Sequence, residues 1–129
     1  MRDDNSAKPM APATAAKYQK DPVWSCVIAR FPRALREIAR VSAYGMAKHG
    51  DDGSDPQAFA RVPDAYRVYS DARCRHMLDE LIEGERNPRD GHLRHAAQEA
   101  WNALARLEVL LLNLEAEAKS ELYQGDRQS

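Results

Sequence analysis

Helical periodicity runs through most of the chain. Phe31, Leu35, Ile38, Ser42 and Gly45 share one face, while Arg30, Arg33, Arg36 and Arg40 share the opposite one. That spacing predicts a first helix from Pro32, well suited to a first turn, to about His49, with Gly50 as its stop. Residues 50–63 (GDDGSDPQAFARVP) are turn-rich and read as a loop. A second helix is expected after Pro63, with Asp64 as its N-cap, running to Gly84 with Cys74, Met77, Leu78 and Leu81 as apolar positions. A tight connection from Glu85 to Gly91, broken by Pro88, leads to a third helix from about His92 to Tyr123. At 1.5 Å per residue that helix is about 45 Å long. No strand pattern or internal repeat competes, so the expected class is all-α.

The third helix carries two opposed stripes. Leu93, Ala97, Ala100, Leu104, Leu107 and Leu111 form an apolar seam, and His92, His95, Glu99, Asn102 and Arg106 a polar one. Val109, Leu110, Leu112 and Leu114 make the distal half apolar nearly all round, which requires burial on more than one side. Three helices of one chain offer too little cover, so a homodimer or homotetramer is expected.

Composition narrows the picture. With 129 residues the chain is long enough for one domain with a modest core. A mobile N-terminal arm is expected over 1–22, the helical domain over 23–123 and a disordered tail over 124–129. Acids (20) and bases (19) nearly cancel, which argues against a general nucleic-acid binder. Cys26 and Cys74 fall in different predicted segments and read as free thiols. The longest apolar run, Val109 to Leu112, is far too short to span a bilayer. No membrane partner and a cytoplasmic location are expected.

The candidate chemistry lies in Asp79, Glu80 and Glu83, followed after fifteen residues by Glu99 and Asn102. Acidic residues at i and i+3 project from one helix face. Two such helices in a hairpin bring carboxylates and an amide oxygen together, a donor set that suits Mg²⁺ or Mn²⁺. Without a cation, such packing sets carboxylate against carboxylate at a Coulombic cost. Arg75, one residue off the acidic stripe, and Lys48, on the flank of Glu37 and Tyr44, are candidate phosphate ligands. Trp24, in an irregular segment before the first helix, is a candidate for stacking on a purine, whereas Trp101 reads as core or interface.

The pattern Asp79-Glu80-x-x-Glu83, spacer, Glu99-x-x-Asn102 resembles the E-E-x-x-E, spacer, E-x-x-D of the MazG-like all-α NTP pyrophosphatases. Asp79 and Asn102 depart from it, the first shortening its reach and the second losing a charge. The segments A34-L-R-E-I-A-R-V-S-A-Y-G-M-A-K48, G84-E85 and H95-A-A-Q-E-A-W-N-A-L-A-R-L-E108 are similar to phage dATP/dGTP diphosphohydrolase-type proteins. The resemblance implies a MazG-like helical bundle with a long C-terminal helix. It implies hydrolysis of a purine deoxynucleoside triphosphate, dGTP in the first instance, to the monophosphate and pyrophosphate. It further implies Mg²⁺ or Mn²⁺ on Glu80, Glu83, Glu99 and Asn102, with Glu80 or Glu83 as general base and Glu37 as a possible additional ligand.

Other chemistries fit less well. His92-x-x-His95 with His76 and Cys74 has tolerable zinc-ligand types but no recognised zinc spacing. There is no adjacent His-Asp pair and no Gly-rich phosphate loop. The alternative from a different class is a non-catalytic helical oligomer, a small interaction protein whose acidic stripe is a solvated face.

Overall fold

A computed structural model describes residues 20–128, so most of the segment expected as an N-terminal arm lies outside the described residues. The chain divides into two compact units between Leu35 and Arg36. In the first, the segment expected to be irregular forms one π-helical turn, Trp24–Ile28, closed by the Ala29 N–H on the Trp24 carbonyl at 2.8 Å. Trp24 is 69% exposed.

Helix α1 spans Pro32–His49, as its sequence signals predict. A short 3₁₀ turn, Ala58–Arg61, interrupts the loop that follows. Helix α2 covers Ala65–Glu83, and a two-residue hairpin, β1 (Arg86–Asn87) and β2 (Leu93–Arg94), leads into α3 at His95–Gln128. The strands pair antiparallel, Arg86 with Arg94 and Asn87 with Leu93. The class is therefore all-α with a long C-terminal helix, and α3 continues past Tyr123 into the segment expected as a tail.

Two local expectations are corrected. Asp64 stands at the N-cap of α2, but its backbone is left-handed (φ 55°) and its carboxylate makes no capping hydrogen bond; it lies 3.8 Å from Arg67 instead. Helix α3 begins at His95 rather than His92, because the hairpin holds Gly91 and His92 at φ 59° and 56°, outside helical space. Strands of two residues carry no readable alternation, which is why the sequence shows only a turn there.

Helices α2 and α3 run antiparallel. His76 meets His95, Tyr69 meets Trp101, and Arg106 reaches back to Ser70 and Tyr66. The core between them is small: Ala65, Tyr69, Ala105 and Val109, with Phe59, Ala60 and Trp101 packed against it. Phe59, Tyr69 and Trp101 form a three-ring contact with centroids 5.6–6.1 Å apart, two of the three pairs edge-on. The Tyr69 hydroxyl donates to the Phe59 carbonyl at 2.5 Å, tying the 3₁₀ turn to α2.

Ala97 of the expected α3 seam is buried, but the leucines that follow it and the apolar positions of α2 face the other way. Leu104, Leu107 and Leu111 are about half exposed, and Leu81 and Ile82 are 85% and 74% exposed. The face of α3 turned inward carries His95, Gln98, Asn102, Ala105 and Val109, and that of α2 carries Ala65, Tyr69, Ala72 and His76. Small and polar side chains let the two helices approach and hydrogen-bond. The leucines point where the described residues do not cover them.

The hairpin is fastened by a buried polar triangle. Asn87, 2% exposed, donates from Nδ2 to Gln98 Oε1 at 3.0 Å and to Asp90 Oδ2 at 3.3 Å, and its Oδ1 accepts the Arg89 N–H at 3.0 Å. Gln98 Nε2 donates to Asp90 Oδ2 at 3.1 Å, and Lys48 Nζ on α1 donates to Asp90 Oδ1 at 3.0 Å. One carboxylate thus joins α1, the hairpin and α3. Tyr44 of α1 packs so closely on Gly91 that an added Cβ would lie 2.9 Å from its Cε2. Gly91→Ala meets both that ring and a left-handed backbone. It is expected to cost about 1–3 kcal/mol, read as a lower midpoint in urea unfolding; an unchanged midpoint would contradict this packing.

Candidate active site

Asp79 and Glu83 stand four residues apart on α2, so their carboxylates share a face. His95, the first residue of α3, is fully buried beneath them, with Nε2 2.6 Å from Glu83 Oε1. Its other ring nitrogen, Nδ1, lies 3.2 Å from His76 Nδ1. One ligand atom from each of Asp79, Glu83 and His95 falls within 4.8 Å of the others.

The charges explain how the atoms bond. Hydrogen bonds from Arg89 hold the Glu83 carboxyl down to about 2, with His95 adding to the effect and burial opposing it. Glu83 is thus an acceptor, and His95 donates from Nε2–H. Its Nδ1 and that of His76 share one proton between them. Burial, and then the nearby Arg75 and His95, keep His76 below the usual imidazole range and favour its neutral form.

The repulsion expected between gathered carboxylates is relieved by arginines of the hairpin. Arg89 donates to both Glu83 oxygens, at 2.6 and 2.9 Å, and lies 3.5 Å from Asp79 Oδ2. Arg94 links Glu37, at 3.0 Å, with Glu85. Glu37 also accepts from Arg40, and these two arginines, Arg40 foremost, hold its carboxyl below the usual range.

Beside the cluster lies a cavity of about 680 Å³. Tyr44, Met46, Phe59, Val68 and Trp101 give it apolar walls, and Lys48, Arg75, His76, Asp90, Gln98 and Asn102 give it polar ones. His76 links the two: it lines the cavity and bonds to the His95 that supports Glu83. The volume is that of a small-molecule site with few polar anchors.

Of the residues singled out in the sequence, Asp79 and Glu83 fall in the ligand cluster, and Asn102, Arg75 and Lys48 line the cavity. Asn102 is buried and donates from Nδ2 to the Gln98 carbonyl at 2.8 Å. Lys48 is engaged by Asp90, whose hydrogen bond raises its pKa. Glu80 and Glu99 are partly buried and join no group of three possible ligands among the described residues. Trp24 belongs to the first unit. The zinc alternative finds two of its histidines together, but as a hydrogen-bonded pair; neither His92 nor Cys74 joins a ligand group among the described residues. Sequence reading passed over Arg89, Asp90 and Gln98, whose only signal was their place in a Pro- and Gly-bearing turn or on an apparently mixed helix face.

Fold and cluster together define an all-α protein with a carboxylate site beside a ligand-sized cavity. A family model described as dATP/dGTP diphosphohydrolase, N-terminal, matches residues 11–119, and the chain belongs to that family. Membership supports a nucleoside triphosphate diphosphohydrolase activity, a hydrolysis of acid anhydrides. No curated protein and no solved structure matches the chain. Among the described residues no helix is long and apolar enough to cross a membrane.

Asp90 offers a test of the polar triangle. Burial works to raise its pKa, but hydrogen bonds from Lys48 and Gln98 outweigh this and hold it below 3.8. A depressed folded-state pKa stabilises the fold above pH 3.8, and the contribution fades as pH falls through the lower folded-state value. Asp90→Ala is expected to cost roughly 2 kcal/mol at neutral pH. Its gap from the native protein should narrow as pH drops below 3.8; urea unfolding at a series of pH values reads this, and a constant gap would count against it.

Proposed function

We propose that the protein hydrolyses a purine deoxynucleoside triphosphate, dGTP before others, to the monophosphate and pyrophosphate, using Mg²⁺ or Mn²⁺. The observation that carries this reading is the link between carboxylate cluster and aromatic-walled cavity through His76, which lines the cavity and lies 3.2 Å from His95 of the cluster. The cluster offers phosphate chemistry and the cavity offers room for a base.

The donor chemistry fits a hard divalent cation. Asp79 and Glu83 supply carboxylate oxygens within reach of one another, and a guanidinium already takes the place of a cation between them. His95 is less suited to binding a metal, since both its ring nitrogens are engaged. Glu80, Glu99 and Asn102 are the remaining oxygen donors of the acidic pattern. A bound cation would neutralise phosphate charge and make water more acidic.

The chain's own residues divide the other work. A carboxylate held at about 2 takes a proton poorly, so Glu83 serves as a ligand and Glu80 as the general base. Arg75 and Lys48, both on the cavity wall, contact the phosphates. Tyr44, Phe59 and Trp101 supply apolar and aromatic surface for the base. Two cavity residues can offer acceptors to the base, Oδ1 of Asn102 and, in its Nδ1–H tautomer, Nε2 of His76. Guanine presents N1–H and an N2 amino group that match two acceptors, whereas adenine offers one amino group beside an acceptor nitrogen.

The exposed leucines of α2 and α3 favour a homodimer or homotetramer in which they are covered. The biological setting we favour resembles that of MazZ, the dGTP diphosphohydrolase of phages that replace adenine with 2-aminoadenine.

Incubation with Mn²⁺ and dGTP, dATP, dUTP and GTP, followed by anion-exchange separation, tests the reaction. Monophosphate and pyrophosphate in equal amounts, fastest from dGTP, are expected, with Glu83→Gln reducing the rate at least ~100-fold. Unchanged nucleotides throughout would overturn the reading in favour of a non-catalytic helical oligomer. Light scattering tests the assembly: a multiple of 14.5 kDa is expected, and a mass of one chain would refute it.

A further inference from the structure

The cation already present between the carboxylates belongs to the chain. Arg89 donates to Oε1 and Oε2 of Glu83 at 2.6 and 2.9 Å and sits 3.5 Å from Asp79 Oδ2. Three of the four carboxylate oxygens on this pair therefore face one guanidinium. A divalent ion bound to the same oxygens needs that space, and the like charges exclude double occupancy.

The side chain is free to leave while its backbone is not. Arg89's side chain is 58% exposed. Its backbone N–H is fixed on Asn87 Oδ1 at 3.0 Å, and Asn87 is held by Gln98 and almost fully buried. Swinging the guanidinium away breaks its contacts with Glu83 and Asp79 and leaves the hairpin in place. Arg94 differs: it joins carboxylates from two elements, Glu37 on α1 and Glu85 before β1, and is only 38% exposed.

We propose that Arg89 is a resident counter-ion that competes with the divalent cation for Asp79 and Glu83 and, once displaced, becomes a ligand for the triphosphate. The proposal rests on reading this carboxylate pair as the cation site. In the cation-free protein the guanidinium keeps two carboxylates charged and converged. Cation loading releases a planar, bidentate donor at the moment a phosphate-binding group is needed. Arg89 thus lowers the affinity for the cation alone and raises that for the nucleotide in the cation's presence.

Calorimetric titration with Mn²⁺ separates these effects without turnover. Native protein, Arg89→Gln, Arg89→Lys and Glu83→Gln are compared, with Arg67→Gln as a surface control and thermal melts to establish folding. Arg89→Gln is expected to bind Mn²⁺ roughly tenfold more tightly than native protein. With Mn²⁺ saturating, it should bind α,β-methylene dGTP roughly tenfold more weakly. Arg89→Lys, which keeps the charge but not the fork, should fall between in both measurements. Arg67→Gln should match the native protein. If Glu83→Gln loses Mn²⁺ binding while Arg89→Gln binds it no more tightly than native, the cation site stands and the counter-ion role falls. If neither native protein nor Arg89→Gln takes up Mn²⁺, the site and the role fall together.

Discussion

Carboxylates can be gathered on neighbouring elements only if positive charge is set among them. Two of them about 4 Å apart repel by roughly 4 kcal/mol at an effective dielectric constant near 20, a large share of a small domain's net stability. The fold meets this cost three times near the hairpin: Arg89 against Asp79 and Glu83, Arg94 against Glu37 and Glu85, and Lys48 against Asp90. Two of the three cations come from a stretch of nine residues that also places His95 at the head of α3. The hairpin is therefore more than a connection. It carries the charge that allows the acidic face of α2 to face inward.

That electrostatic arrangement needs a polar interior. The meeting faces of α2 and α3 hold His76, His95, Gln98 and Asn102, with no buried side-chain polar atom left unpaired among the described residues. Buried hydrogen bonds of this kind contribute modestly when formed and cost heavily when broken, so they fix geometry more than they add stability. The consequence is a thin apolar core of Tyr69, Val109 and a few alanines, ringed by Phe59 and Trp101. Apolar surface that would ordinarily close the core is on the outside, in Leu78, Leu81, Ile82, Leu104 and Leu107. A polar meeting face between two helices thus displaces their largest apolar side chains to the opposite faces.

The legible and illegible parts of the sequence divide along the same line. Helices α1 and α2 were readable because Pro32, Gly50, Pro63 and Gly84 punctuate them and local signals need no partner. Chemistry and spacing singled out Glu83, which lies in the ligand cluster, and Asn102, Arg75 and Lys48, which line the cavity. Which face of α3 turns inward was not, since periodicity marks the most apolar face and assumes that face is buried. Here His95 and Asn102, read as the polar stripe, are inside, and Leu104 and Leu107, read as the seam, are outside. Arg89, Asp90 and Asn87 were hidden in a turn whose meaning depends on contacts across the fold. The His76–His95 pair spans nineteen positions and no local pattern announces it.

The pairing of His95 with Glu83 also limits what each can do. A histidine with Nε2 on a carboxylate and Nδ1 on a second imidazole has no lone pair to offer a cation, so its role in the cluster is to orient. It fixes the Glu83 carboxylate from below while Arg89 approaches from the exposed side. On the far side of the pair, His76 carries the same chain of hydrogen bonds to the wall of the cavity. A carboxylate outside the pocket and an imidazole inside it are thereby positioned by one set of contacts, so a displacement of either histidine disturbs both places.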